Sequence, residues 1–357
     1  MIRSLRVVDF RCFESLALEV PEGGGVFTGD NAQGKTSILE AVCLMVRLHS
    51  PRSHRMSTMA RVTGPGGFGI AGEAWGDERK IRWQRKTAMD FTVDGESRSS
   101  HGDYLADGGL LVWMGNEDLE LVRGSGEVRR RYLDFIGSQF EPGYRRALSR
   151  YRRAVKAKNL LLKDPRPRDA EIESYESVMI EAGNLLTQTR ARLVSLLTPA
   201  AAEFQKEIAG KDERVALEYR PAGGEDLQVA LGQAREKERK QRTCLVGPHR
   251  DDLLLRLGGL AAGDFASEGQ QRTLALSLKL AQGRVLAECR GQQPVWLIDD
   301  VFGELDVSRR NALLRVLPED AQKWITTTHL DWLDAARGLG EMGKFEVSGG
   351  ACREVPD

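Results

Sequence analysis

No stretch of the chain approaches the roughly 18 consecutive apolar residues of a membrane span, and no hydrophobic heptad persists long enough for a coiled-coil arm. A protein outside the membrane, without a long arm, is therefore expected. Cysteine is sparse: Cys12, Cys43, Cys244, Cys289 and Cys352 are scattered, odd in number and form no C-x-x-C pair. That pattern argues against both a disulfide framework and a zinc site. Net charge is also missing, since Lys plus Arg equals Asp plus Glu at 52 each. A neutral chain carries no global electrostatic footprint for nucleic acid, so any such contact has to be local. Ile2 to Val8 alternate like a strand and lack the layout of a signal peptide, which predicts a cytoplasmic protein.

What is present is an ordinary globular composition, 41% hydrophobic and 29% charged, over 357 residues. That length suits about two domains, one inserted in the other. The most informative stretch lies near the start. Gly29, Asp30, Asn31, Ala32, Gln33, Gly34, Lys35, Thr36 and Ser37 fit the phosphate-loop pattern G-x-x-x-x-G-K-[ST]. A short apolar run, Gly25 to Thr28, precedes it as a strand, and Ile38 to Met45 follows as a helix. The glycines let successive N–H groups face a triphosphate, and the helix start adds partial positive charge. Lys35 is expected to hold the β and γ phosphates and the Thr36 hydroxyl to ligate Mg²⁺, so ATP or GTP is the expected ligand.

The periodicity sorts the remainder. Residues 2 to 10 and 15 to 20 alternate as an antiparallel pair, and Phe68 to Val93 read as hairpins of a small β lobe over about 66–100. Leu110 to Met114 is a buried strand. From Glu127 to Lys163 the pattern turns helical, with eleven basic residues facing only Glu127, Asp134 and Glu141. Glu171 to Lys211 is a second long helical stretch, expected to break at Pro199. We read 121–242 as an inserted helical, partly basic domain, and 1–120 with 243–357 as an α/β core. Gly247 to Asp252 is expected to be a turn that fixes the insert against that core.

Two further motifs carry chemistry. Val295 to Ile298, the most apolar strand, ends in Asp299 and Asp300, at the strand end where open α/β sheets bind ligands. Asp299 would hold the metal through its water shell, while Asp300 would orient or deprotonate the attacking water. Ser267, Glu268, Gly269 and Gln270 have two readings. They form a capping box, or a helix start whose Ser267 hydroxyl and Gly269 N–H grip a γ-phosphate.

In this order the motifs resemble the ABC-type ATPases of chromosome maintenance, and among them the RecF family of bacterial recombinational repair. The resemblance rests on Phe10-Arg11, the phosphate loop, the helix Tyr151 to Lys163, Gly247-Pro248-His249-Arg250-Asp251-Asp252-Leu253, the Ser267 signature and Ile298 to Asp306. It implies an ABC-type ATPase head with an antiparallel β lobe and an inserted helical domain. It also implies a homodimer closed by ATP, the phosphate loop of one chain facing the Ser267 signature of the other. Asp306 would lie at the dimer seam, and His329 where the switch histidine senses the γ-phosphate. The implied partners are double-stranded DNA or single-strand/double-strand junctions, with RecR and RecO. Asp300 stands where most ABC ATPases have Glu, and its shorter side chain suggests slow, switch-like hydrolysis. The alternative from another class is the nucleotide-binding subunit of an ABC transporter, which would need a coupling surface for membrane helices in place of the basic insert.

The basic helix is either a solvated face or a duplex-backbone contact, with Arg145, Arg146, Arg152 and Arg153 as the candidate DNA residues. No aromatic stripe interleaves the arginines, so base stacking on single strands has less support.

Overall fold

The computed structural model describes residues 1–53, 55–106, 108–164, 168–328 and 342–355. In chain order its elements begin β1 (Ser4–Phe10), β2 (Phe13–Glu19), β3 (Gly24–Thr28), α1 (Lys35–Arg47), β4 (Gly67–Ala74), β5 (Asp77–Gln84), β6 (Asp90–Val93), β7 (Glu96–Ser97), α2 (His101–Leu105) and β8 (Leu111–Gly115). Helices then dominate: α3 (Leu119–Arg123), α4 (Gly126–Phe140), α5 (Tyr144–Leu161), α6 (Asp169–Ala209), β9 (Val215–Arg220), α7 (Leu227–Gln241), β10 (Asp252–Leu257), β11 (Leu260–Ala261), α8 (Ala262–Phe265) and α9 (Glu268–Arg290). Strands return in β12 (Val295–Asp299), α10 (Val307–Val316), β13 (Lys323–Thr327), β14 (Gly343–Ser348) and β15 (Ala351–Glu354). The chain divides into two compact units, Met1–Asn116 with Gly291–Asp357, and Glu117–Arg290.

The first unit holds two six-stranded sheets, ordered β2-β1-β4-β5-β6-β7 and β15-β14-β3-β13-β12-β8. The first sheet is antiparallel and joins the expected β lobe to the opening hairpin through β1 and β4. In the second, β14, β3, β13, β12 and β8 run parallel, and β15 closes the edge antiparallel. Helix α1 touches strands of both sheets, which explains why it is buried along nearly its full length, Glu40 and Arg47 included. Phe27 of β3 stacks between Trp324 of β13 and Phe345 of β14, ring centroids 5.4 and 4.9 Å away.

The second unit is built on α6, which packs on α5 and α9 and carries β9 against it. Pro199 does not break this helix. Pro199 sits on its exposed side, and Ser195, whose carbonyl loses its N–H partner, is an exposed residue too. Buried Leu193, Leu197, Ala201 and Phe204 on either side offset a local cost of about 3 kcal/mol. Nor is the unit purely helical: β9 pairs along the whole of β10, and β11 completes a three-stranded sheet. This pairing, with the packing of α9 on α6, sets residues 243–290 in the second compact unit, whereas the sequence reading returned to the core at 243. Residues Glu127 to Lys163 form two helices, because Pro142 and Gly143, the latter at φ 87°, interrupt them.

Candidate nucleotide site

The phosphate loop links β3 to α1, as its strand–loop–helix signature requires. Gly29 and Gly34 have φ of 143° and 113°, and the turn also carries Ala32 at φ 64°. A side chain at Gly34 would stand 2.6 Å from Cys12 Sγ and 2.7 Å from the Phe13 ring, so this position needs glycine for both backbone and space. The amide hydrogens of Gly34, Lys35 and Thr36 find no protein acceptor among the described residues. They are the free donors of a helix start, the groups that receive anions. Lys35 Nζ donates to the Gly29 and Asp30 carbonyls at 2.5 and 2.8 Å. Burial lowers its pKa, against the opposing pull of Asp300, Asp299 and Asp30.

Sheet order explains how distant residues converge here. Strand β13 lies between β3 and β12, so the loop after β3 and the acids after β12 share one end of the sheet. Thr36 Oγ1 donates to Asp299 Oδ1 at 2.8 Å, and Thr326 Oγ1 of β13 donates to the same oxygen at 2.7 Å. Thr326 also receives the Asp300 N–H on its carbonyl at 3.2 Å and its hydroxyl at 3.0 Å. Asp300 has φ 52°, a left-handed conformation that disfavours a residue with a Cβ, and its carboxylate lies over Gly303. Thr326 was missed as a site residue; the polar end of the otherwise apolar strand Trp324 to Thr328 was its only signal.

A second support comes from the β1–β2 turn. Arg11, at φ 54°, donates to both oxygens of fully buried Glu40 on α1 at 2.7 and 2.6 Å, and to the Thr58 carbonyl at 2.7 Å. Ser50 Oγ donates to Glu40 as well. The Phe10-Arg11 motif thereby clamps the phosphate-loop helix. At the far edge, the Gly349 N–H donates to Gln33 Oε1 at 2.8 Å and ties the loop to the β14–β15 turn.

The oxygens of Thr36 and Asp299 suit Mg²⁺, which takes few protein ligands and keeps water and phosphate oxygens for the rest. Asp306 caps α10, accepting the Arg309 N–H at 3.0 Å. His329 lies outside the described residues.

Within the second unit, the Ser267 signature forms a capping box: Gln270 N donates to Ser267 Oγ at 3.3 Å, and Ser267 N to Gln270 Oε1 at 2.9 Å. Ser267 and Glu268 are exposed at the tip of α9. Gln270 Nε2 donates to Glu213 Oε1 at 3.0 Å, and Arg123 Nε to Gln271 Oε1 at 2.5 Å, so the tip is held from two sides.

The basic run is less free than its composition suggests. Arg129 pairs with Asp252, Arg131 with Glu127, Arg150 with Glu181, and buried Lys158 with Glu176 and Glu238. Of the candidate DNA residues, Arg152 pairs with Asp134 at 2.9 Å, and Arg153 bonds, among the described residues, the Ser149 carbonyl of its own helix at 3.4 Å. Arg146 is exposed, whereas Arg145 is half-buried with its pKa lowered by burial to about 10.

Gly247 to Asp252 have a different role from the expected turn against the core. They anchor a polar network inside the second unit. Buried Asp251 accepts from Arg190 Nη1 and the Ala222 N–H, each at 2.8 Å, and from Tyr219 OH. Arg190 also donates to the Pro248 carbonyl at 2.7 Å and to Asp134 Oδ1 at 2.8 Å. Gly247 has φ 119°, and a side chain there would meet Tyr151 OH at 2.3 Å.

No family model matches the chain. It is 35% identical, over 94% of its length and 93% of the relative's, to the DNA replication and repair protein RecF of Synechococcus sp. (strain JA-3-3Ab). Identity is 33% to the RecF of Symbiobacterium thermophilum, covering 98% of this chain and 97% of that one. Among solved structures, the recombination mediator protein RecF-ATP of the RecFOR pathway superposes with TM-score 0.86 at 27% identity, over 99% of this chain and 97% of that one. The Smc head domain from Pyrococcus furiosus superposes with TM-score 0.56 at 14% identity, over 99% and 95% of the two chains, a likeness of fold alone. These superpositions bear out the expected α/β ATPase-head fold.

Proposed function

The chain belongs to the RecF family of DNA replication and repair proteins, and from that premise we propose that it is an ATP-controlled DNA-binding protein of recombinational repair. Family membership displaces the transporter-subunit reading. The observation that carries the proposal is the meeting of Thr36, Asp299 and Thr326 beside the phosphate loop, supported by the likeness to a RecF crystallised with ATP.

In this reading the loop amides and Lys35 bind the β and γ phosphates, and Lys35 exchanges its two carbonyl partners for phosphate oxygens. Thr36 and Asp299 would hold Mg²⁺, which supplies charge neutralisation on the phosphates. Thr326 fixes Asp299 by its hydroxyl and Asp300 by its backbone, so the two acids keep separate roles. Asp300 orients the attacking water and takes its proton. Its side chain is short, which makes hydrolysis slow, a switch rather than a motor.

Closure requires a second copy. The Ser267 hydroxyl and the start of α9 from the partner copy complete the γ-phosphate site, Asp306 lies at the seam and His329 senses the γ-phosphate. ATP thus closes a homodimer on duplex DNA or a gap junction, and hydrolysis reopens it. RecR and RecO are the partners this places at gaps. Arg145, Arg146, Arg152 and Arg153 contribute DNA contacts, with Arg146 and Arg153 more available than the other two.

Retention of a duplex by the full chain, measured at low salt with and without Mg-ATP, tests the proposal. Nucleotide should tighten binding; retention indifferent to nucleotide, or absent in both states, would contradict it.

A further inference from the structure

The Gly247-to-Asp252 stretch borders a cleft of about 240 Å³, lined mainly by charged residues, that lies wholly inside the second unit. Helix α4 contributes Arg130 and Arg131 to its walls, α5 contributes Tyr151 and Arg152, α6 contributes Arg190, and the turn contributes His249. The lining charges do not balance. Four guanidiniums face two carboxylates, Glu127 and Asp134. Both carboxylates are already engaged, Asp134 by Arg190 and Arg152, Glu127 by Arg131.

Arg130 is the residue left over. Among the described residues it donates only to the Asp251 carbonyl, Nη1 to O 2.7 Å, and forms no ion pair. The acids of the turn are directed elsewhere: Asp251 to Arg190, Tyr219 and Ala222, Asp252 to a two-pronged pair with Arg129 at 2.8 and 3.0 Å. His249 supplies no charge near neutrality. It bonds Tyr151 OH at 2.7 Å and the Cys244 carbonyl at 3.3 Å, and burial holds its pKa down to about 4. Burial and the neighbouring Arg190 charge also depress Arg130, against longer-range attraction from Asp252, Glu127 and Asp251. A half-buried guanidinium without its own counter-ion carries a desolvation cost that an entering oxyanion would offset. The planar fork of N–H donors suits phosphate, which it can take two-pronged.

The geometry points to a phosphate-binding cleft in which Arg130, flanked by Arg131 and Arg152 at the mouth, receives a backbone phosphate of bound nucleic acid. Nucleic acid fits better than an acidic protein segment for two reasons. Arg153 and Lys156, exposed on the same α5, form no ion pair among the described residues and extend the cationic track beyond the cleft. Six of the ten lining residues are charged and four of these are arginines, whereas Leu148 and Pro248 are the only aliphatic ones, a composition weighted toward a polyanion rather than a segment anchored by apolar side chains. This inference rests on the DNA-binding reading but moves the principal contact from the outer face of α5 to the cleft beneath it.

The test uses the full chain and a 30-base-pair duplex, titrated between 50 and 200 mM salt. Arg130→Gln should weaken binding about eightfold at 0.1 M salt and flatten the log–log salt slope by about 0.9, the contribution of one phosphate contact, with ATP affinity unaltered. Glu127→Gln removes an exposed acid at the mouth and should tighten binding several-fold, an outcome that a folding defect cannot mimic. Wild-type binding that neither variant changes overturns the cleft and leaves DNA binding standing. A wild-type chain that fails to retain duplex overturns both. Tighter capture of a poly-glutamate peptide than of duplex, lost in Arg130→Gln, would overturn the choice of nucleic acid.

Discussion

Arg190→Met removes the centre of the polar network and should be among the most destabilising single changes in the second unit. The guanidinium is 2% exposed and bonds Asp134, Asp251, the Pro248 carbonyl and, at 3.1 Å, Tyr144 OH. Its loss leaves two carboxylates facing each other inside the unit. Breaking a buried pair from one side costs about 3–5 kcal/mol. Part of that is offset, because Asp134 keeps Tyr144 OH and Arg152, while Asp251 keeps Tyr219 OH and the Ala222 N–H. We therefore place the loss at about 3 kcal/mol, the lower end of that range. Arg152→Met is the internal control: it breaks a pair with the same Asp134, but the arginine is 61% exposed, so the cost should stay below about 1 kcal/mol. Urea unfolding followed by circular dichroism reads the contrast, with a midpoint more than about 1 M lower for Arg190→Met at an m-value of about 2–3 kcal/mol/M. Adding Asp251→Asn to Arg190→Met should recover part of the loss. Equal midpoint shifts for Arg190→Met and Arg152→Met would refute the argument that burial gives this network its strength.

Lys35→Ala should weaken Mg-ATP binding about 100-fold, the effect of about 3 kcal/mol of charge-assisted hydrogen bonding, by isothermal titration; retained affinity would remove the phosphate loop from the site. Asp300→Asn should lower hydrolysis about 10²- to 10⁴-fold while ATP still binds, measured by phosphate release. His249 titrates near 4 when folded against about 6.5 when unfolded, so the unfolded chain binds the extra proton. Its contribution to stability is present above about pH 6.5 and is lost as the pH falls toward 4, and His249→Gln should flatten that part of the pH dependence of the urea midpoint.

The parts of the site that were legible in the sequence are those where backbone chemistry constrains residue type. Gly29 and Gly34 occupy left-handed positions, Lys35 and Thr36 open a helix, and Asp299 ends an apolar strand, so pattern and geometry coincide. Thr326 and Glu40 were illegible because their roles come from pairing across sheet and helix: Thr326 matters through the β12–β13 register, and Glu40 through an arginine 29 positions away. The basic helix misled for the same reason. Its composition promised free charge, but Glu181, Glu176, Glu238 and Asp252 arrive from other elements and neutralise much of it. Pro199 likewise shows tertiary burial overriding a local breaker, and β9 escaped notice because its partner β10 follows only after a helix.

Sedimentation velocity of the full chain with and without Mg-ATP examines the shared-nucleotide mechanism most directly. The account predicts monomer without nucleotide and dimer at saturating ATP. It further predicts that a mixture of Lys35→Ala and Ser267→Arg chains dimerises with ATP, although neither variant does so alone, because the mixed pair keeps one intact site. A chain that remains monomeric at saturating ATP and micromolar protein would contradict it.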